Sequence, residues 1–599
     1  MAGMGVGLAS QVSASAGAQT LGALQNPAQD ASAGSLPVRP PAVVTSPPVL
    51  QHVDAHVHVN QVGYLPGEAK RAVIPAEGPI PGNAFAIIDD DVTPQIRYQG
   101  PLVESETPGR YDRFGRHFIA DFSAFDRPGR YRVRLSDGKL STPFTLAKGI
   151  YSRLAPLMIQ YFDVQACGLP RSALRGACHL DDGIAYGGPR NGLPMDTSGG
   201  WHDAGDYLKF VETTSFVTAL LLFTHLHFER AFPQKTPRGR LPQLLDQARV
   251  GLEWLLKMHP TPDEFYYQVG DESDHESWRL PEEDNLIANK DWKPRRVYYG
   301  VGANLAGRTA AALAMASRLY APYDPRFALR CLKAGQTAYR LGLQHREVLS
   351  TTPYSFYPEQ TWADDMEWGA ISLYEATGRK GYLEQALEFA RQAQSAHAVT
   401  SVYNTHALAH YTLYPHASDK LRDRLLEYLR ADAEMIRRQA ANPYGLGTPY
   451  LWGTAEAATG AALTCLLYAI LSREKGYLDV ARWQRDFVLG CNPFGLCCLI
   501  GAGTRYPLFP HHQIANIRNV ELSGALVGGP ADYRSVQDEN IALAAADFDT
   551  QNPGPPVAEE IPGEVGVYHD AVQDYVTNEP ANDYTAKFLL LTAFYVVPA

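Results

Sequence analysis

Residues 129–168 read "GRYRVRLSDGKLSTPFTLAKGIYSRLAPLMIQYFDVQACG", and the hydrophobic period changes partway along. At first Tyr131, Val133 and Leu135 fall on one face of a strand, Asp137-Gly138 supplies the turn, and a second strand follows. From Tyr151 onward apolar residues recur at helical spacing. A β-rich region therefore ends here and an α-rich one begins.

Upstream, residues 54–148 read as β throughout. "HVHVNQVGYL" alternates, and "NAFAIIDDD" is a short apolar strand that stops at acids. Several short strands with Gly/Pro turns predict a small immunoglobulin-like sandwich. Downstream, residues 151–599 carry helical periodicity over 213–231, 241–258, 303–319, 326–343, 365–377, 382–397, 419–438, 455–472, 477–489 and 583–596. That is more helices than a simple bundle holds, and an (α/α) barrel accommodates them in one mainly α, indeed all-α, domain. Long Gly/Pro-rich loops join them, and function is expected there. Residues 1–50 are rich in Ala, Gly, Ser and Pro, and their first basic residue is Arg39. They read as a disordered leader or linker, without the basic start and apolar core of a complete signal peptide.

The chain has 599 residues, 45% of them hydrophobic, and a net charge of -11, which disfavours a nucleic-acid partner. No apolar run reads as long enough to cross a bilayer. The 33 Tyr and 8 Trp serve either as core or as flat platforms for sugar rings. Seven cysteines, an odd number, argue against a pure disulfide scaffold.

Cys167, Cys178, His179 and His202 form a Cys2His2 set within a short stretch. Zinc takes such ligands as a closed tetrahedron, and four protein ligands leave no position for a reacting water, so this metal would be structural. The spacing is not that of a zinc finger, and two buried cysteines beside two unrelated histidines explain the residue types equally well. Just beyond lie Asp203 and Asp206, in "TSGGWHDAGDYLKF", and Glu579 precedes the last helix. Singly, such acids are solvated or cap helices. Together they fit glycoside hydrolysis, which needs one ionised and one protonated carboxyl across the scissile bond. If a water fits between base and sugar, at about 6.5–9.5 Å separation, the product is inverted.

Motifs along the chain match one family in order. They are "VNQVGYLPGEAKRAVI", "GGWHDAGDYLKF", "LLDQARVGLEWLLKMH", "YYQVGDESDHESWRLPEE", "GANLAGRTAAALAMAS", "DDMEWGAISLYEATG", "YLWGT", "GCNPFG", "PHHQ", "GALVGGP" and "DYVTNEPANDYTAKF". Across residues 55–596 the chain resembles glycoside hydrolase family 9, inverting cellulases with an (α/α)6 barrel, in the branch with an N-terminal immunoglobulin-like domain. The resemblance implies Asp206 as general base, Asp203 as its partner on the water and Glu579 as general acid. It implies that His275, Trp278, Trp452, His511 and Tyr584 line sugar subsites. It also implies zinc at Cys167, Cys178, His179 and His202, and calcium at Asp364 and Asp365, although paired acids at a helix start often only cap it. No organic cofactor is implied.

The chain departs from the family pattern in three places. Gln513 stands where the family has Arg after "PHH", so a subsite loses a fixed charge unless nearby Arg518 replaces it. Cys497-Cys498 replace Ser-Tyr and read as buried thiols. "DDM" replaces the commoner Asp-Glu-apolar run, which bears on the calcium expectation. The expected activity is endo-β-1,4-glucanase, by a secreted or periplasmic monomer with the sandwich packed as a support on the barrel. The alternatives are an exo-acting β-glycosidase on short, including glucosamine-containing, oligosaccharides and a carbohydrate-binding protein without catalysis; the latter would lack an acid. A zinc hydrolase fails on ligand count.

Overall fold

The structure, a computed structural model, describes residues 57–106, 114–232, 241–286, 293–394, 398–539 and 566–596. The leader read over residues 1–50 lies outside them.

Seven strands build the first region: β1 (Gly63–Tyr64), β2 (Arg71–Ala76), β3 (Ala84–Asp89), β4 (Ile96–Glu104), β5 (Arg116–Asp121), β6 (Gly129–Leu135) and β7 (Phe144–Leu146), in the order β1-β7-β6-β3-β4-β5-β2. β4 serves two layers. Its residues up to Pro101 pair with β3, and Leu102 to Glu104 pair with β5. Proline, which has no N–H to donate, sits where the ladder changes partner. Inward residues of both layers, among them Ile74, Ile87, Phe118, Val133 and Phe144, share one core. The hairpin is as read: Tyr131, Val133 and Leu135 are buried, and Gly138 takes a φ of 90°.

"HVHVNQVGYL" is mostly not strand. Only His58, bridged to Val73, and β1 pair with other strands. Its polar residues face the second region instead. Asn60 Nδ2 donates to Tyr151 Oη and Asp486 Oδ1, and Gln61 Nε2 donates to the Gly495 carbonyl. Glu68 receives both terminal nitrogens of Arg485, at 3.0 and 2.9 Å, and all these side chains are buried. Residues 57–64 are all buried, so the alternation of polar and apolar residues reflects polar pairing at a domain seam rather than a half-exposed sheet.

Among the described residues, the second region contains twelve principal helices: α1 (Leu154–Gln165), α2 (Val211–Phe228), α3 (Gln243–Met258), α4 (Ala303–Leu319), α5 (Pro325–Gln344), α6 (Ala363–Thr377), α7 (Lys380–Ala393), α8 (His406–Leu413), α9 (Asp419–Gln439), α10 (Thr454–Ser472), α11 (Gly476–Val488) and α12 (Asn582–Val596). Contacts close a ring α2–α4–α6–α8–α10–α12, and the others pack outside it. Sequence shows why. α2 is buried at every residue from Val211 to His225, whereas α9 buries Leu421, Leu425, Leu429, Asp432, Ala433 and Ile436, one stripe at helical spacing. α10 corrects the expectation about apolar runs: it is long and apolar enough to cross a membrane. It is an inner helix, 83% buried by protein, and so is apolar all round.

The body is not purely α. Strands β8 (Ile184–Tyr186), β9 (Lys209–Phe210), β10 (Tyr266–Val269) and β11 (Arg296–Tyr299) form a sheet in the order β8-β11-β10-β9. Runs this short show no measurable alternation, and α8 is too short to show a helical period.

Removing one partner of a buried ion pair leaves an uncompensated charge. Glu68→Ala should therefore lower stability by about 3–5 kcal/mol in chemical denaturation.

Candidate functional site

The site is built where α1 ends. Cys167 N–H donates to the Gly200 carbonyl, and His202 N–H donates to that of Gln165, so α1 and the loop before β9 lie side by side. Cys167, Cys178, His179 and His202 converge there, all buried, with their ligand atoms within 4.8 Å of one another. The Cys167 Sγ–His179 Nδ1 and Cys178 Sγ–His202 Nε2 separations are both 3.7 Å, and the two histidine nitrogens are 3.3 Å apart. A tetrahedral ion with bonds of about 2.0–2.3 Å requires ligand separations of about 3.3–3.8 Å. The donor set therefore fits such an ion. His179 also has the outer partner expected of a metal ligand: its Nε2 lies 2.7 Å from Asp284 Oδ2. Burial alone would raise the Cys167 thiol, but Cys178, the Lys209 ammonium and His202 hold it well below its ordinary range.

Asp203 and Asp206 follow directly. Gly205, between them, donates its N–H to Glu579 Oε1 at 3.0 Å, and its carbonyl accepts the N–H of Gln513. A Cβ here would lie 2.2 Å from the His511 carbonyl oxygen, so only glycine lets the three segments meet. Asp206 Oδ2 lies 2.9 Å from His275 Nε2, and its Oδ1 accepts the Leu208 N–H. Asp203 is buried, and its two oxygens accept the hydroxyls of Thr213 and Tyr357.

These carboxyls differ in charge. Burial opposes ionisation of Asp206, but the His275 hydrogen bond and positive charge outweigh it and hold the carboxyl below its ordinary range. Glu579 is pushed up to about 8, first by burial and then by the Asp206 charge. Asp203 is likewise pushed up to about 8 by the same two causes. His275 is raised to about 9, since the hydrogen bond and charge of Asp206 exceed the cost of burial. At neutral pH one carboxylate is ionised between two neutral carboxylic acids.

Aromatic rings flank the acids. Trp278 meets His511 edge-on at 5.0 Å, His511 meets Tyr575 at 5.7 Å, and Tyr575 meets Trp452 at 5.8 Å. Trp452 is 45% exposed. Tyr584 lies beside Gly453, next to that tryptophan. Opposite, Phe356 packs on His275, and Tyr357 lies 6.2 Å from Tyr403. Sequence reading missed Thr213, Phe356, Tyr357, Tyr403 and Tyr575; Thr213 lies close after the acids and Tyr575 within "DYVTNEPANDYTAKF", but no local motif marks the other three.

The remaining expectations resolve differently. Gln513 is buried, and its side-chain oxygen accepts the Arg279 N–H, so it ties two loops together. Arg518 is paired with Glu282. Cys497 and Cys498 are buried free thiols. Asp364 accepts the Thr405 N–H, and Asp365 is paired with the buried Arg308, which also holds Glu359. A guanidinium thus pairs with Asp365, one of the two acids at which the resemblance implies calcium.

With this geometry in hand, comparison with known proteins gives two family matches. The model described as Glycosyl hydrolase family 9 matches residues 151–592, and that described as Cellulase N-terminal ig-like domain matches residues 52–139. A xyloglucan-specific endo-β-1,4-glucanase of Bacteroides ovatus is 27% identical over 588 residues, covering 90% of this chain and 93% of that protein. Endoglucanase D of Acetivibrio thermocellus is 25% identical, with 81% of this chain and 80% of that protein covered. A metagenome-derived family 9 endoglucanase superposes with a TM-score of 0.77 at 28% identity, over 90% of this chain and 98% of the other. A Zn-binding triple mutant of the family 9 endoglucanase J30 gives 0.74 at 26% identity, over 90% and 100%.

The Asp206–His275 contact has a direct signature. In Asp206→Asn the imidazole loses its anion, so NMR titration should show the His275 pKa falling from about 9 toward or below the ordinary histidine range.

Proposed function

Because the chain belongs to glycosyl hydrolase family 9, we propose that it cleaves β-1,4-glucosidic bonds within cellulose, cellodextrins or related β-glucans, with inversion, using Glu579 as general acid and Asp206 as general base. It is a glycoside hydrolase of the cellulase type. The observation that carries the reading is the meeting at Gly205 of a carboxyl kept protonated and a carboxylate kept ionised. Environments that push two titratable groups apart assign the acid and the base. Asp206, partnered by the His275 cation, takes a proton from water as that water attacks the anomeric carbon. Glu579 gives its proton to the departing glycosidic oxygen. Asp203 is fixed by Thr213 and Tyr357 and is neutral, so the negative charge of the pair, and with it the basicity, resides on Asp206. The aromatic rows on either side supply apolar faces for the sugar rings. A polymeric glucan does not enter cells, which suits a secreted or periplasmic enzyme.

Hydrolysis of a panel of β-1,4 oligosaccharides, with product anomers followed by NMR, tests this. The α-anomer should appear first, and β-anomer as first product would overturn the mechanism. Glu579→Gln should lose about 10²–10⁴-fold, and less on activated aryl glycosides. The pH–rate profile should rise as Asp206 ionises, below the ordinary aspartate range, and fall as Glu579 loses its proton near about 8. The raised Glu579 value also has a thermodynamic sign. The unfolded chain releases this proton first, so stability falls as pH rises from the ordinary carboxyl range toward about 8. Glu579→Gln removes that loss and should melt higher than the parent at alkaline pH.

The ion held by Cys167, Cys178, His179 and His202 we assign as zinc, on the donor set and spacing. These four side chains would fill the coordination shell of a zinc ion there, which would brace the loop bearing Asp203. Metal analysis of the purified protein should give about one equivalent per chain. Cys178→Ser should lower the melting temperature well before it alters the pH–rate profile.

A further inference from the structure

The sheet beside the site carries a straight row of side chains. Phe210 pairs with Gln268, Gln268 with Tyr298, and Tyr298 with Tyr186, one residue from each of β9, β10, β11 and β8. Residues directly opposite one another project from the same face, and strands lie about 4.8 Å apart, so the row runs about 14 Å from Phe210 to Tyr186. Its inner end is at the catalytic acids: the Phe210 ring packs at 5.4 Å on Tyr357, whose hydroxyl holds Asp203. Its middle is roofed. Thr352 donates its N–H to Gln268 Oε1, and Gln268 Nε2 donates to the Thr352 carbonyl. Its outer end is open. Tyr186 is 53% exposed, its ring is supported edge-on by Tyr298 at 5.2 Å, and the Arg296 guanidinium lies 5.2 Å from it.

From this we infer that Tyr186 and Arg296, backed by the buried Tyr298 ring, form a distal glycan-binding platform, which takes sugar units of a β-glucan chain beyond those held at the catalytic acids. The inference rests on the glucan-hydrolase reading. The chemistry suits a neutral sugar. An aromatic ring offers a surface to pyranose C–H faces, and Arg296 offers donors to hydroxyls. Asp271 lies 3.4 Å from Arg296 and accepts the Tyr298 hydroxyl at 2.6 Å, so no net positive charge selects an anion. The same Asp271 accepts the Ser273 N–H and so caps the turn that bears His275. Asp271 thereby ties the platform to the turn that bears His275, so a long chain reaching past the Thr352 roof would meet both.

Binding in a Glu579→Gln background tests the platform without turnover, by calorimetry with cellohexaose and cellotriose. Cellohexaose should bind more tightly, and adding Tyr186→Ala should weaken it by about five- to tenfold while the cellotriose affinity changes less than about twofold. Arg296→Ala should act in the same direction, and the melting temperatures of both variants should match that of their parent. Equal weakening for both sugars, unchanged cellohexaose affinity, or cellohexaose binding no tighter than cellotriose would each overturn the platform. The hydrolysis of oligosaccharides by the unmodified enzyme reads the underlying function separately.

Discussion

The backbone of Gly205 is the constraint on which the site depends. Its N–H holds Glu579, from just before the last helix, and its carbonyl holds Gln513, while Asp203 and Asp206 flank it. Residues more than 370 positions apart along the chain are thus set within one peptide unit of each other. No side chain could make this junction, because a Cβ would collide with the His511 carbonyl. The cluster of Cys167, Cys178, His179 and His202, which could hold a metal ion, adjoins the same loop through His202, next to Asp203.

From that junction the electrostatics follow. Three carboxyls are crowded into a largely water-poor space, and only one can keep its charge cheaply. His275 decides which. It faces Asp206, not Asp203 or Glu579, and the other two are left as neutral acids. The asymmetry required for acid–base chemistry therefore comes from the placement of a single imidazole. Asp271 in turn caps the short turn that carries it.

Much of this was legible in the sequence, and the failures have a common cause. The Asp137-Gly138 hairpin, the change of period at Tyr151 and the inner and outer helices announce themselves locally, through turn chemistry and periodicity over many residues. The four candidate metal ligands and the acids were visible as residue types, although their convergence is a tertiary fact. What escaped was short or distant. β8 to β11 are too brief to alternate measurably. Tyr357 reaches Asp203 from a loop 154 positions away. The pairing of Asp365 with Arg308, 57 residues upstream, leaves no local trace either. "HVHVNQVGYL" misled because its polar residues are buried as fully as its apolar ones, paired across the seam between the two regions.

That seam has a consequence of its own. Arg485 is fully buried between Glu68 and Asp486, and its guanidinium lies over the rings of Tyr151 and Tyr595. A charge so enclosed is tolerable only while both regions are present, so the boundary behaves energetically as interior. The sandwich is not a detachable module hung on an independent catalyst. The barrel of this chain expressed by itself would leave Arg485 with Asp486 but without Glu68, and would bare an apolar flank, so the two regions of this chain are expected to fold and melt together.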